Sequence, residues 1–222
     1  MKSSKLTNAF LTGCDSNTEW MLSWFVKHYK KHNTTPIIFA DFGISKEMKA
    51  MLPQLGFDHI ITMSGNNKGW FYKPSSMIKA NEYATNVCWI DTDIHILNDM
   101  SSVFKYIETE KLAMCEDRGW SKRGGEKWHN SGVVAFRNVP RILEEWALNC
   151  SLNAARGDQE VLHGMINESP LTRLKYITDL PHVYNWLRLD LIDGLDSSAK
   201  LAMHWTGQKG KLQIKKMMYN EQ

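Results

Sequence analysis

Cysteine is scarce and scattered: Cys14, Cys88, Cys115 and Cys150 form no CxxC pair, which excludes a zinc-ribbon spacing and a disulfide scaffold. Three of the four lie in apolar runs, where a buried free thiol is expected. Glycine (14) and proline (6) are few for 222 residues, so a collagen-like or low-complexity chain is excluded. No apolar run approaches the roughly 18 residues that span a bilayer. The opening Met1-Lys-Ser-Ser-Lys5 carries no apolar segment of the signal-peptide kind. An excess of one charge is lacking too. Lys and Arg number 27 against 24 Asp and Glu, a net +3, too little for the basic face of a dedicated nucleic-acid binder. The expectation is a soluble protein of a reducing compartment with no nucleic-acid partner and no transmembrane segment. That compartment is the cytoplasm, or the host cytoplasm if the gene is viral.

What the chain does have is a globular 43% of hydrophobic residues, nine Trp and twelve Met. Most of the tryptophans are expected in packing; a minority can offer a flat apolar face to a sugar or a base.

The first half alternates short apolar runs with helical spacing. Strands are expected at 8–13, 36–40, 59–62 and 86–90, with helices at 17–31, 45–55 and 74–85 between them. The run before Asp91 is the most apolar and therefore central. This rhythm predicts βαβ units, hence an α/β chain with a mostly parallel sheet flanked by helices. The second half is less regular. Helices are expected at 101–109, 141–150 and 158–167 and strands at 111–115 and 133–136, with a mobile loop over 116–130. No repeat or linker divides the chain, so a single domain over 1–222 with an irregular C-terminal half is expected.

The sharpest chemical feature is Trp89-Ile90-Asp91-Thr92-Asp93-Ile94. If the strand continued, the two carboxylates would share one side. At the carboxyl end of a parallel strand they would sit where open α/β sheets bind ligands. Such hard oxygen ligands suit Mg²⁺ or Mn²⁺ held between carboxylates and a diphosphate. Four shorter segments accompany it. Asn130-Ser131-Gly132 reads as a polar elbow before an apolar strand, able to meet sugar hydroxyls. Asp158-Gln159-Glu160 opens a helix, where Asp158 is also a plausible N-cap. His204 follows a strand-like run. Trp70-Phe71-Tyr72-Lys73-Pro74 opens a helix with a cation and aromatics suited to a phosphate or a base.

Taken in order, the segments CWIDTDI, HNSGVV, GDQEVL and MHWTG resemble those of GT-A glycosyltransferases, in particular glycosyltransferase family 8 and related retaining enzymes. The resemblance runs from about Phe10 to Lys211. It implies a GT-A, Rossmann-like fold with a nucleotide-binding half over about 1–100 and an acceptor-binding, metal-completing half over about 101–222. It implies a hexosyltransferase-type enzyme that uses a nucleotide-diphosphate sugar, UDP-linked by preference or GDP-linked, and Mn²⁺ (or Mg²⁺). By the same resemblance Asp91, Asp93 and His204 hold the metal, with Thr92 beside the ribose. Asn130 contacts the donor sugar, and Asp158 and Gln159 face its anomeric carbon. Thr12, Gly13 and Asp15 fall where base and ribose are held, and Asp41 lies near the base. Lys73 or Lys79 reaches the diphosphate from a helix, and Gly207 belongs to the closing segment. One departure stands out. Family members carry a lysine six residues after the histidine; here that position is Gly210, flanked by Lys209 and Lys211, either of which is expected to swing in from a flexible loop.

For the chemistry, Gln159 is a poor nucleophile, which favours retention by front-face transfer. The alternative is inversion with Asp158 or Asp117 as base. Two other classes stay open: a nucleotidyltransferase, although Thr12-Gly13-Cys14-Asp15 is poor in glycine for a phosphate loop, and a non-catalytic nucleotide-sugar-binding module. The acceptor (glycan, lipid, protein or small molecule) is left open. The lysines of the last residues read as a solvated tail.

Overall fold

Two apolar runs become the centre of the sheet in the computed structural model, which describes residues 5–65, 69–152 and 157–221. They are β1 (Leu6–Cys14) and β4 (Ala84–Ile90), paired in parallel. Between them come α1 (Leu22–His32), β2 (Ile37–Asp41), α2 (Lys46–Leu55), β3 (His59–Thr62) and α3 (Lys73–Ala80). This half is parallel throughout, in the spatial order β3-β2-β1-β4.

The second half contributes β5 (Ile94–Ile96), β6 (Leu112–Glu116), α4 (Arg118–Gly124), β7 (His129–Arg137), α5 (Arg141–Leu152) and α6 (Asp158–Ile166). After these come α7 (Pro170–Tyr176), β8 (Ile177–Asp179), β9 (Trp186–Leu187), α8 (Arg188–Ile192), β10 (Ala202–His204) and α9 (Gly207–Asn220). Beyond β4 the main sheet continues β7-β6-β8. Only β7 runs against its neighbours. A small second sheet, β5-β10-β9, begins where β4 ends.

Alternation along the strands divides the core in two. Phe10 of β1 packs with Phe25 and Tyr29 of α1, edge-on to Tyr29 at 5.5 Å. Its neighbours Ala9 and Leu11 face the other way, toward Met77 of α3 and Trp146 of α5. Cover on both faces explains why the central strands read as continuous apolar runs. All four cysteines are buried free thiols. Among the described residues no helix is long and apolar enough to cross a membrane.

Several expectations give way to the structure. The helix expected over 74–85 ends at Ala80, because Asn81 turns its side-chain amide onto the carbonyls of Ala84 and Thr85 (2.9 and 3.2 Å) and hands the chain to β4. The segment 17–31 starts as a 3₁₀ turn at Glu19–Met21, and 101–109 is 3₁₀ over Ser101–Tyr106. The loop expected over 116–130 contains α4, capped by Asp117, whose Oδ1 accepts the Trp120 N–H at 3.0 Å, and closed by Gly125 at φ +73°. Asn130-Ser131-Gly132 is no elbow but the interior of β7, opposite a register shift at Met114/Cys115 in β6.

The supposed flexible loop and solvated tail are one helix, α9, anchored by buried Ile214. Its first turn passes so close to the chain before it that a Cβ on Gly210 would collide with the backbone of Trp205. That close approach is why glycine occupies this position.

Gly210→Ala should cost about 1–3 kcal/mol as an overpacked site, a fall in Tm of roughly 2–4 °C per kcal/mol at this chain length. Gly164 of α6, with open space around its Cα, is the control: Gly164→Ala should leave Tm unchanged or raise it, as measured by calorimetry.

Candidate active site

The strand β4 stops at Ile90, and the chain turns rather than continuing. The Ile94 N–H donates to the Asp91 carbonyl at 3.2 Å. The turn is held from both flanks: the Asp91 N–H donates to Gly132 of β7 (2.9 Å), and Trp205 N–H donates to the Asp93 carbonyl (3.0 Å). The carboxylates therefore converge through a turn pinned between two sheets, not through strand alternation.

Asp91, Asp93 and His204 bring one ligand atom each to within 4.8 Å of one another. His204 Nε2 lies 3.0 Å from Asp93 Oδ1 and 3.9 Å from Asp91 Oδ2. Its Nδ1 is 3.0 Å from Asn185 Oδ1, an acceptor, so Nδ1 carries the proton and Nε2 faces the carboxylates. The fully buried Asn185 is itself oriented, since its Nδ2 donates to Asn130 Oδ1 at 2.8 Å. Gly132 leaves room for the ring: a Cβ there would run into the His204 imidazole.

Behind this group sits Lys73, 4% exposed. Its Nζ is 3.0 Å from Asp91 Oδ1 and 3.0 Å from Asp158 Oδ2, and it donates to the Ser131 carbonyl and Oγ at 3.3 and 3.2 Å. Trp89 Nε1 donates to the same Asp91 Oδ1 at 2.6 Å. Asp91 is thus divided: Oδ1 is engaged by Trp89 and Lys73, and Oδ2 turns toward His204.

The charges respond accordingly. Burial lowers the Lys73 ammonium, but Asp158 and Asp91 outweigh it and hold it above its ordinary value. Burial pushes Asp91 up against the pull of Lys73. Burial would also raise Asp93, yet His204 holds it below the usual carboxylate range. His204 in turn is lowered by burial but raised on balance by Asp93.

A third layer links Asn130, Gln159 and Asp117. Gln159 Oε1 accepts from Asn130 Nδ2 (3.0 Å) and Ser131 N (3.2 Å), and its Nε2 donates to Asp117 Oδ2 (3.3 Å). Asp117 Oδ2 also accepts from Asn130 Nδ2 at 3.0 Å. Asp158 and Gln159 start α6, whose first turn is tied to α5 by Trp146 Nε1 on the Asp158 carbonyl at 2.9 Å.

These layers surround one cavity of about 330 Å³. Of the residues singled out in the sequence, Gly13, Asp15, Lys73, Thr92, Gly207 and Lys211 line it together with Asp91, Asp93, His204 and the amide groups. Others do not. Thr12 is fully buried beneath it. Asp41 closes the turn after β2, accepting from the Gly43 and Ile44 N–H groups (2.8 and 2.9 Å) and pairing with Lys49 at 3.2 Å; its neighbour Phe42 reaches the cavity instead. Lys79 lies in the last turn of α3, and Lys209 is exposed on α9; neither lines the cavity. Sequence reading missed Asn185, Trp120, Leu187 and Leu189. Asn185 stands in no motif, and Trp120 lay in what read as a loop.

Among solved structures the chain is similar to the galactosyltransferase LgtC in complex with donor and acceptor sugar analogues: 13% identity, TM-score 0.62, 95% of this chain and 94% of that one. It is also similar to apo-form glycosyltransferase GlyE of Streptococcus pneumoniae TIGR4 (17%, TM-score 0.65, 91% of this chain and 55% of that one). A third likeness is to the apo bifunctional glycosyltransferase WbbM (13%, TM-score 0.60, 94% and 47%). The chain spans about half the length of GlyE and WbbM. The fold is the GT-A fold. No protein-family model matches the chain, and no curated protein matches it in sequence.

Lys73→Met should destabilise the fold by about 3–5 kcal/mol, since it strands the buried Asp158 carboxylate and the partly buried Asp91. Lys79→Met, at a half-buried position outside the cavity, should cost less than about 1 kcal/mol. Urea unfolding of the two variants checks the pair, and equal losses would contradict the role given to Lys73.

Proposed function

We propose that the chain is a metal-dependent glycosyltransferase that moves a sugar from a nucleotide-diphosphate sugar to an acceptor hydroxyl with retention at the anomeric carbon. The observation that carries this reading is the convergence of Asp91, Asp93 and His204 at the carboxyl end of β4, in the same cavity as Lys73, Asn130, Asp158 and Gln159. Two carboxylates and an imidazole with a fixed tautomer make a donor set suited to Mn²⁺, or to Mg²⁺ less well because of the nitrogen ligand. When bound there, such an ion supplies Lewis-acid neutralisation of the departing diphosphate.

The chain's own residues do the rest. Gly13, Asp15 and Phe42, at the ends of β1 and β2, form the end of the cavity that receives base and ribose, for a UDP-linked donor by preference or a GDP-linked one. A side chain on Gly13 would meet the Ala40 carbonyl at 2.7 Å and Phe42 at 2.9 Å, so glycine is needed for this surface. Lys211, reaching the cavity from α9, adds positive charge for the diphosphate, the preorganised electrostatic stabilisation that lowers such barriers. Asn130 and Gln159 orient the sugar. The donor half over about 1–100 and the acceptor half over about 101–222 meet along this line.

Retention rests on which groups are free to react. Gln159 Oε1 already accepts two hydrogen bonds and is no nucleophile. Asp117 accepts three, and Asp158 is paired with Lys73. Neither is a free base for inversion. Front-face transfer then leaves the acceptor proton to a phosphate oxygen of the leaving group.

A thermal-shift screen of UDP, GDP, CMP and ADP with and without Mn²⁺ tests the donor side. A nucleotide at 100 times its Kd should add about 2.7 kcal/mol of stability, read as roughly 2–4 °C per kcal/mol. The expected result is a shift with one nucleotide that needs Mn²⁺ and disappears in Asp93→Asn. A nucleotide shift indifferent to Mn²⁺ would rule out the metal-dependent reading.

A further inference from the structure

Part of the cavity wall is made by α4 and α8. These two short helices are clamped by charge. Arg118 meets Asp190 with two contacts (Nε–Oδ1 3.1 Å, Nη2–Oδ2 2.9 Å), and Arg123 Nη2 lies 3.1 Å from Asp193 Oδ1. Asp190 is 1% exposed and also accepts the Leu187 N–H at 3.0 Å, which fixes the start of α8. The helices touch at Gly119, where a Cβ would come within 2.8 Å of Leu189. The clamp presents Trp120 from α4, and Leu187 and Leu189 from the β9–α8 segment, to the cavity.

Trp120 is 50% exposed. Trp128 backs it at a ring-centroid distance of 6.0 Å, and Trp128 is itself stacked on His163 at 3.5 Å. An indole supported from behind and left half in water at a cavity wall forgoes hydrophobic burial, as expected of a surface kept for a ligand. Its surroundings are polar. Asp117 accepts its backbone N–H at 3.0 Å, and Gln159 and Glu160 line the same cavity.

We infer that Trp120 is the platform of an acceptor subsite and that the acceptor is a saccharide, a pyranose ring stacked on the indole with its hydroxyls toward Gln159 and Glu160. This rests on the glycosyl-transfer reading above. A pyranose matches the site because one of its faces is lined by C–H groups while its rim carries hydroxyls, and an indole with the Glu160 carboxylate and the Gln159 amide beside it complements both. An acyl chain would desolvate the Glu160 carboxylate and return no hydrogen bond. A nucleobase has other aromatic groups to meet in the cavity, Phe42 beside Gly13 and Trp70 in the segment next to Asp15. In the transfer, a hydroxyl oxygen of the stacked sugar bonds to the anomeric carbon of the donor. That carbon's bond to the diphosphate oxygen breaks, and the hydroxyl proton leaves with the nucleoside diphosphate.

The test is fluorine NMR of the full chain labelled with fluorotryptophan, its Trp120 line assigned from Trp120→Phe. The probes are the methyl α- and β-glycosides of glucose, galactose, mannose and N-acetylglucosamine, added with Mn²⁺ and nucleoside diphosphate present. Glycoside binding is followed in parallel by saturation transfer to the sugar protons. The expected result is a saturable shift of the Trp120 line with at least one glycoside. Binding of that glycoside should weaken about tenfold in Trp120→Leu, as at a truncated hot spot, and survive in Trp120→Phe, with nucleotide binding unchanged in both. Glycoside binding that leaves the Trp120 line unmoved overturns the subsite, and so does an absence of glycoside binding where the nucleotide still binds. A Trp120 shift in a chain that binds no nucleotide keeps the subsite and removes the proposed function. Failure of both nucleotide and glycoside to bind removes both.

Discussion

An ammonium buried between carboxylates sets the geometry around which this molecule is arranged. Lys73 begins α3, Asp91 follows β4, Ser131 lies in β7 and Asp158 opens α6, and one Nζ touches all three partners. It also lies over the Trp89 ring, 5.5 Å from its centroid. Removing such a charge from water is costly, and only the close approach of opposite charges and good hydrogen-bond geometry offset it. The arrangement is therefore strict about how its four elements meet. It holds the helix layer against the carboxyl edge of the sheet, and it commits one oxygen of Asp91 while leaving the other toward His204.

The same economy runs outward from that point. Each polar group in the cavity is aimed by another: His204 by Asn185, Asn185 by Asn130, Gln159 by Asn130 and Ser131, Asp117 by the start of α4. A site in which charge develops on a leaving group gains from dipoles that need no reorganisation at the moment of reaction. Glycine appears where side chains would close the space, at Gly13 against Ala40 and Phe42 and at Gly132 beside the imidazole.

Much of the fold is legible in the sequence. The parallel half followed from apolar runs spaced by amphipathic segments, because strands covered on both faces leave little polarity to confuse the pattern. Asp91 and Asp93 were visible for the converse reason: two charges at the end of so apolar a strand have no packing role. The mechanism of their convergence is not visible there, since the turn depends on a hydrogen bond to the Gly132 carbonyl and one from the Trp205 N–H, each far away in sequence. The second half was harder. Asp117 and Gly125 do carry the cap signals of α4, but its Gly, Lys and Arg content reads as loop. What stabilises α4 and α8 is the pairing of Arg118 with Asp190 and Arg123 with Asp193 across about 70 residues. Asn185 left no trace at all, because a buried orienting amide is defined only by the groups it meets. Lys209 and Lys211 were indistinguishable in sequence until α9 put one on the cavity and the other in solvent.

The account stands most directly on what leaves the donor. Incubating the chain with UDP- and GDP-linked sugars, with Mn²⁺ or with chelator, and identifying the nucleotide released tests it in one assay. The account predicts nucleoside diphosphate from one donor, dependent on the cation and lost in Asp91→Asn. Release that persists in chelator, release of a nucleoside monophosphate instead, or no release from any donor would contradict it.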